Sequence, residues 1–215
     1  MIVEEIMQTN LATLSPKSTI KDALQLMRER SIRHFPVVDT DNHIVGIVTD
    51  TDLRDATPSI FHSEEHKEDL NRPIEEIMKT NLITGHPLDF VEEIAAVFYE
   101  NRISCVPIIN DKQLVGIVTE ADLLHTLIEL TGANQPGSQI EIKVPHKTGV
   151  LCDIFSVFNK KKANVLSVLV YPDKHDVNHK IIVIRVQTMN PVSLIEELKK
   201  AGHHVLWPNL PGITL

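Results

Sequence analysis

With 215 residues, 42% of them hydrophobic and 23% charged, the chain can bury a real core, and with only 8 glycines it is neither disordered nor fibrous in composition. Its formal net charge of −8 argues against the basic face that a nucleic-acid backbone binder needs. The acidic start Met1-Ile2-Val3-Glu4-Glu5 does not suit a secretory signal, and no apolar run approaches the roughly 18 residues of a membrane span. Two cysteines, Cys105 and Cys152, are too few for a disulfide framework and fit a reducing compartment. The expected setting is the cytoplasm, with neither nucleic acid nor membrane as a partner.

In chain order, an extended piece at Leu11–Leu14 is expected to end at Pro16. Ser18 or Thr19 can then cap a helix whose apolar residues Ile20, Ala23, Leu24 and Met27 fall at helical spacing. Two β-branched runs follow, Pro36–Val38 and Ile44–Val48, joined by a polar turn at Asp39–Asn42, and a second helix begins near Asp50. Residues 58–73 are polar and read as a surface connection. The whole unit then recurs. Val3-Glu4-Glu5-Ile6-Met7 faces Ile74-Glu75-Glu76-Ile77-Met78 at an offset of 71, and Pro16, Ile32 and Pro36 face Pro87, Ile103 and Pro107. After one residue drops out of the turn, Val45-Gly46-Ile47-Val48-Thr49 faces Val115-Gly116-Ile117-Val118-Thr119 at an offset of 70. In the second copy Asp89 is the expected cap of a helix bearing Val91, Ile94, Ala95 and Phe98, and Ile108-Ile109 and Leu114–Val118 are the expected strands. Each copy is therefore β-α-β-β-α, residues 1–57 and 74–131.

Residues 132–138 form a linker rich in turn formers. From 139 to 215 the pattern changes. Ile140–Val144 alternates as a strand; Val150, Leu151, Ile154, Phe155 and Phe158 make an amphipathic helix; Val165–Tyr171 and Ile181–Val186 are strands around a polar turn. Pro191–Ala201 is a helix stopped by Gly202, and Val205–Trp207 is a last strand. The order β-α-β-β-α-β is that of ferredoxin-like domains, so the fold class is α+β.

Chemistry concentrates at Gly46-Ile47-Val48-Thr49-Asp50-Thr51-Asp52 and Gly116-Ile117-Val118-Thr119-Glu120-Ala121-Asp122. In both, a buried strand delivers a Thr to its carboxyl end, and an Asp follows in the first turn of a helix. Asp52 and Asp122 can each accept both hydroxyls of a ribose through charge-assisted bonds of roughly 1.5–3 kcal/mol. Thr49 and Thr119, with nearby N–H groups at a helix N-terminus, can face a phosphate. The alternative use of the same residues is to cap the helix.

This Gly-Ile-Val-Thr-x-x-Asp pattern, with Phe35-Pro36-Val37-Val38-Asp39 and Val106-Pro107-Ile108-Ile109-Asn110 upstream, resembles the cystathionine-β-synthase (CBS) domain. The resemblance implies a pair of repeats packed about a pseudo-twofold axis, with clefts for adenosine derivatives: AMP, ADP, ATP or S-adenosylmethionine. It implies Asp52 and Asp122 as the ribose-binding acids, Thr49 and Thr119 on the phosphate side, and Thr13 and Thr84, with the chain at Phe35 and Val106, along the adenine. Copy one carries Arg33 and His34 where copy two has Ser104 and Cys105, so those cations are expected in a cleft for a charged nucleotide.

The last segment resembles an ACT domain at Gly149-Val150-Leu151 and Ala163-Asn164-Val165. That implies a ligand, such as an amino acid, near Thr148, Gly149 and Val150, although Lys147-Thr148-Gly149 stands where the family has Asp-x-Pro-Gly. Edge-to-edge dimerisation is the other role the resemblance implies. The order CBS-CBS-ACT resembles the acetoin-utilisation family, associated with growth on acetoin or butanediol near enzymes acting on acetyl-CoA synthetase.

Catalytic signatures are missing: the sequence has no G-x-G-x-x-G, no G-x-x-x-x-G-K-[ST] and no G-x-S-x-G. His62-Ser63-Glu64-Glu65-His66 spells the H-x-x-E-H zinc arrangement, but in a polar connection without an apolar helix face it reads as a solvated loop. The expectation is a non-catalytic homodimeric regulator with no metal or cofactor, binding an adenosyl effector and an unidentified regulated protein. A dimeric scaffold with vestigial clefts is the alternative.

Overall fold

The computed structural model describes residues 1–57 and 67–208, which fall into two compact units, Met1–Leu124 and His125–Leu215. The His62 to His66 motif lies outside the described residues. Among the described residues no helix is long and apolar enough to cross a membrane.

The first unit holds both repeats. Repeat one consists of α1 (Ile20–Arg30), the antiparallel hairpin β1 (His34–Val38) and β2 (Ile44–Thr49), and α2 (Asp50–Ala56). Repeat two has α3 (Val91–Asn101), the hairpin β3 (Cys105–Asn110) and β4 (Gln113–Thr119), and α4 (Glu120–Thr131), which runs past the unit boundary. Each hairpin carries a register irregularity at the same place, between Val37 and Val38 and between Ile108 and Ile109. The expected strand at Leu11–Leu14 shrinks to a single bridge, Leu14 to Val37, in which Leu14 exchanges hydrogen bonds with Pro36 and Val38. The chain leaves that pairing at once because Pro16 has no N–H to continue it.

Helix α1 starts as the sequence suggests: the Thr19 hydroxyl accepts from the Asp22 N–H at 3.1 Å, and Asp22 accepts from the Thr19 N–H at 2.9 Å. Helix α3 differs. Its N-cap is Phe90, the counterpart of Thr19, and the Asp89 carboxylate turns back to accept from the His86 N–H at 2.7 Å. Asp89 is one residue too early to cap.

The two repeats trade their leading segments. The N–H groups of Val3 and Glu4 donate to Asp89 and Pro87 in repeat two, at 3.0 and 2.9 Å. Ile74 and Glu75 donate in the same way to Ser18 and Pro16 in repeat one, at 2.8 and 3.0 Å. Val3 is wholly buried in the core of repeat two with Ile94, Phe98, Val106, Ile108 and Val118. Ile74 is wholly buried in the core of repeat one with Ile20, Phe35, Val37, Val48 and Leu53. Further along, Gln8 pairs with Ile117 and Lys79 with Ile47 through reciprocal backbone hydrogen bonds. The end of the connection at residues 58–73 is likewise built in, since Arg72 accepts from the Ile20 N–H at 3.1 Å and Leu70 packs on the core of repeat one. A smaller cluster of Ile47, Cys105 and Ile117, backed by Leu11 and Leu82, joins the hairpins.

The second unit contains β5 (Ser138–Pro145), α5 (Val150–Lys160), β6 (Val165–Pro172), β7 (His179–Val186), α6 (Val192–Lys200) and β8 (His204–Trp207). Its antiparallel sheet has the order β6-β7-β5-β8. Ile140, Ile142, Val144, Ile182, Ile184 and Val186 alternate onto one face and form a core with Ile154, Phe158, Leu194, Ile195 and Leu198 of the two helices. This is the ferredoxin-like arrangement expected from the element order.

Candidate functional site

Both Thr-x-x-Asp motifs form reciprocal caps. Oδ2 of Asp52 accepts from the Thr49 N–H at 2.9 Å and from its hydroxyl at 2.6 Å. Oδ2 of Asp122 does the same with Thr119 at 2.8 and 2.6 Å. The capping role allowed by the sequence is therefore present in both copies, and it leaves Oδ1 of each acid to other partners. Oδ1 of Asp122 accepts from Nε2 of Gln8 at 2.8 Å, whereas Oδ1 of Asp52 lies 2.9 Å from Nζ of Lys79. Burial works against ionisation of Asp52, but the bonds from Thr49 and Lys79 outweigh it and hold the carboxyl below the usual range.

A cavity of about 420 Å³ opens beside Thr119. Its wall combines Ser31, Ile32, Arg33 and His34 of repeat one with Ser104, Ile117, Thr119, Glu120 and Ala121 of repeat two, and with Gln8 of the exchanged segment. A second cavity of about 190 Å³ shares Gln8, Ile32, His34 and Ile117 with it and continues past Asn10, Leu11 and Ala12 to Pro36. The structure thus brings Arg33 and His34 to Thr119 of the other repeat, a pairing that the repeat alignment alone does not suggest, whereas Asp122, Thr49 and Asp52 are not in the wall of either cavity. Burial, the largest influence, and Arg33 lower the pKa of His34 and so oppose the positive charge expected of it, while Asp50, Glu120 and Asp122 act the other way. Nε2 of His34 lies 2.8 Å from Oγ of Ser104, so the ring serves as a hydrogen-bonding wall.

Phe35 and Val106 are wholly buried in their repeat cores, and neither borders the two cavities. Thr13 and Thr84 are exposed, and neither borders the two cavities. Gln8 and Lys79 were missed from sequence. Their matched positions in the two leading segments were the available signal, but nothing local ties those segments to the opposite repeat.

In the second unit Gly149 has φ +87° and caps α5, while Val150 is buried beneath it and Thr148 is exposed. A cavity of about 340 Å³ adjoins them, with Lys147, Cys152, Val170 and Lys180 in its wall. At the turn between β1 and β2, Asp39, Asp41 and His43 place potential ligand atoms within 4.8 Å of one another, and Oδ1 of Asp39 accepts from the N–H groups of the other two, an ordinary turn geometry.

The chain belongs to the CBS-domain family: the CBS domain matches residues 3–59 and 74–129, and the ACT domain matches residues 138–203. It is similar to a CBS domain-containing protein of Dictyostelium discoideum, DDB_G0289609, with 34% identity over 64% of this chain and 99% of that one. Among solved structures it resembles a Vibrio cholerae protein assigned to acetoin utilization (AcuB). That match has 30% identity and a TM-score of 0.55 over 63% of this chain and 96% of the other. The CBS domain pair of protein MJ0100, solved with 5′-methylthioadenosine and S-adenosyl-L-methionine, is 29% identical with a TM-score of 0.52 over 63% of this chain and 98% of that pair.

Proposed function

We propose that the protein is a non-catalytic regulatory sensor that binds an adenosine derivative between its CBS repeats. The observation that carries this reading is the composite cavity, whose wall joins the strand-end Thr119 of repeat two, bonded to Asp122, to Arg33 of repeat one. Asp52, Asp122, Thr49 and Thr119 are the ribose and phosphate contacts of the reading and Arg33 supplies charge; Thr13, Thr84 and the chain at Phe35 and Val106 belong to the base side by family resemblance alone, since none of them borders the two cavities. The adenosyl ligands of the MJ0100 pair support the ligand class. AMP, ADP, ATP and S-adenosylmethionine are the candidates, acting as effectors rather than cofactors.

Control of acetoin or butanediol catabolism is the cellular role, supported by the likeness to the Vibrio cholerae protein. The working form is a cytoplasmic homodimer. Edge strand β6 supports this, since Val168, Leu169, Val170 and Tyr171 are exposed and, among the described residues, β7 is its one partner in the sheet. The cavity at Thr148, Gly149 and Val150 supports an amino acid as a second ligand.

Calorimetry of the full chain with the four candidate nucleotides tests the sensor reading. Binding by one of them is expected, and silence from all four at about millimolar concentration removes it. The scaffold alternative predicts that Asp52→Ala with Asp122→Ala leaves regulation intact, whereas the sensor reading predicts its loss.

A further inference from the structure

The two ribose-side acids are not equivalent, and the difference lies in the exchanged segments. Gln8 and Lys79 occupy matched positions, each with its backbone paired to the strand that carries the Thr and each reaching Oδ1 of the Asp. One supplies a neutral amide and the other an ammonium. A ribose hydroxyl that takes the place of Gln8 exchanges one neutral donor for another. A hydroxyl that takes the place of Lys79 must break a charge-assisted bond to a carboxylate whose side chain is only 13% exposed.

On the phosphate side the distribution of cations is reversed. Arg33 lines the cavity next to Thr119, while its counterpart by the repeat offset is the uncharged Ser104. An anionic adenosyl ligand needs a cation at its phosphate end and an acceptor at its sugar end. The Thr119–Asp122 side offers that arrangement. On the Thr49–Asp52 side the cation sits on the acceptor itself.

We infer that Lys79 is a built-in occupant of the ribose position at Asp52, so that each chain takes one anionic adenosyl ligand, held at Asp122. This inference rests on the sensor reading above and assigns its ligand to one cleft. Lys79 and Gln8 are then specificity-determining residues, and a single exchange at either position changes the number of sites.

Equilibrium dialysis of the full chain with AMP, ADP and ATP is the test. One equivalent per chain is expected for the wild type. Lys79→Gln, a change at a largely exposed side chain, should admit a second equivalent. Gln8→Lys should weaken the first at least about tenfold, a change of about 1.4 kcal/mol, and Asp122→Asn should do the same. Arg33→Gln should weaken AMP while leaving uncharged adenosine within about twofold. Two equivalents of similar affinity in the wild type, no second site in Lys79→Gln, or full affinity in Gln8→Lys or Asp122→Asn would each overturn the inference while leaving the sensor reading in place. Absence of any binding overturns both. Thermal unfolding of each variant identifies any that fails to fold. For the cap-bearing Asp122, the Gln8→Lys result then stands in its place.

Discussion

Nε2 of His34 and Oγ of Ser104 are hydrogen-bonded at 2.8 Å, one from each repeat, across the cavity that Arg33 borders. Burial, the largest influence, lowers the pKa of the imidazole from its ordinary 6.5. As pH falls, the unfolded chain therefore takes up the proton before the folded one does. The stabilising contribution is complete above 6.5 and is lost as pH drops toward the folded value. Urea unfolding between about pH 7.5 and about pH 5 should show a steeper loss in the wild type than in His34→Gln. Parallel pH profiles would contradict the burial argument.

Ile74→Ala should cost about 2–5 kcal/mol, since the side chain is wholly buried. The damage should appear in the opposite repeat from the one whose sequence Ile74 heads. Hydrogen exchange should accelerate first in β1 and β2, where Ile74 packs, and only later in β3 and β4. Faster exchange confined to β3 and β4 would mean that the leading segments are not exchanged.

The offset of 71 was enough to reveal the duplication, because residues with identical jobs recur at matched places. The Thr-x-x-Asp caps were legible for the same reason, since capping is local and its residue preferences are strong. Exchange of the leading segments was not legible. Val3-Glu4-Glu5-Ile6-Met7 would bury its apolar residues equally well on either repeat, and only the three-dimensional path of the chain decides between them. The composite cavity was hidden for a related reason: Arg33 meets Thr119 through folding alone. Asp89 was misassigned as a cap because the preference for acid at that position outweighed a shift of one residue, which the alignment of Thr19 with Phe90 could have settled.

Gly46 and Gly116 permit the close passage of those segments. A Cβ at Gly46 would lie 2.5 Å from Sδ of Met78, and one at Gly116 would lie 2.5 Å from Sδ of Met7. Gly46→Ala and Gly116→Ala should each destabilise by about 1–3 kcal/mol in chemical denaturation. Shortening the opposing side chain, as in Gly46→Ala with Met78→Ala, should cost less than the sum of the separate changes, because the contacts with Sδ and Cγ go and only Cβ, at 3.2 Å, remains close. Strict additivity would show that the glycine serves another purpose.

Cys105 and Cys152 should differ sharply toward alkylating reagents. Burial raises the Cys105 thiol to about 12, and only 7% of the residue is exposed. Cys152 stands exposed in the first turn of α5. Iodoacetamide at about pH 8 should add one label to the folded chain, at Cys152, and none to Cys152→Ser. Labelling of Cys105 on the same timescale would mean that the hairpin junction opens readily.

The exchanged segments also fix the smallest piece of this chain that can stand alone. A single repeat would carry an apolar strap with nowhere to lie and a core lacking one wall. Neither half can be kept without the other, so the indivisible module is the couple, and a cut between its halves would leave two incomplete bodies rather than two small domains.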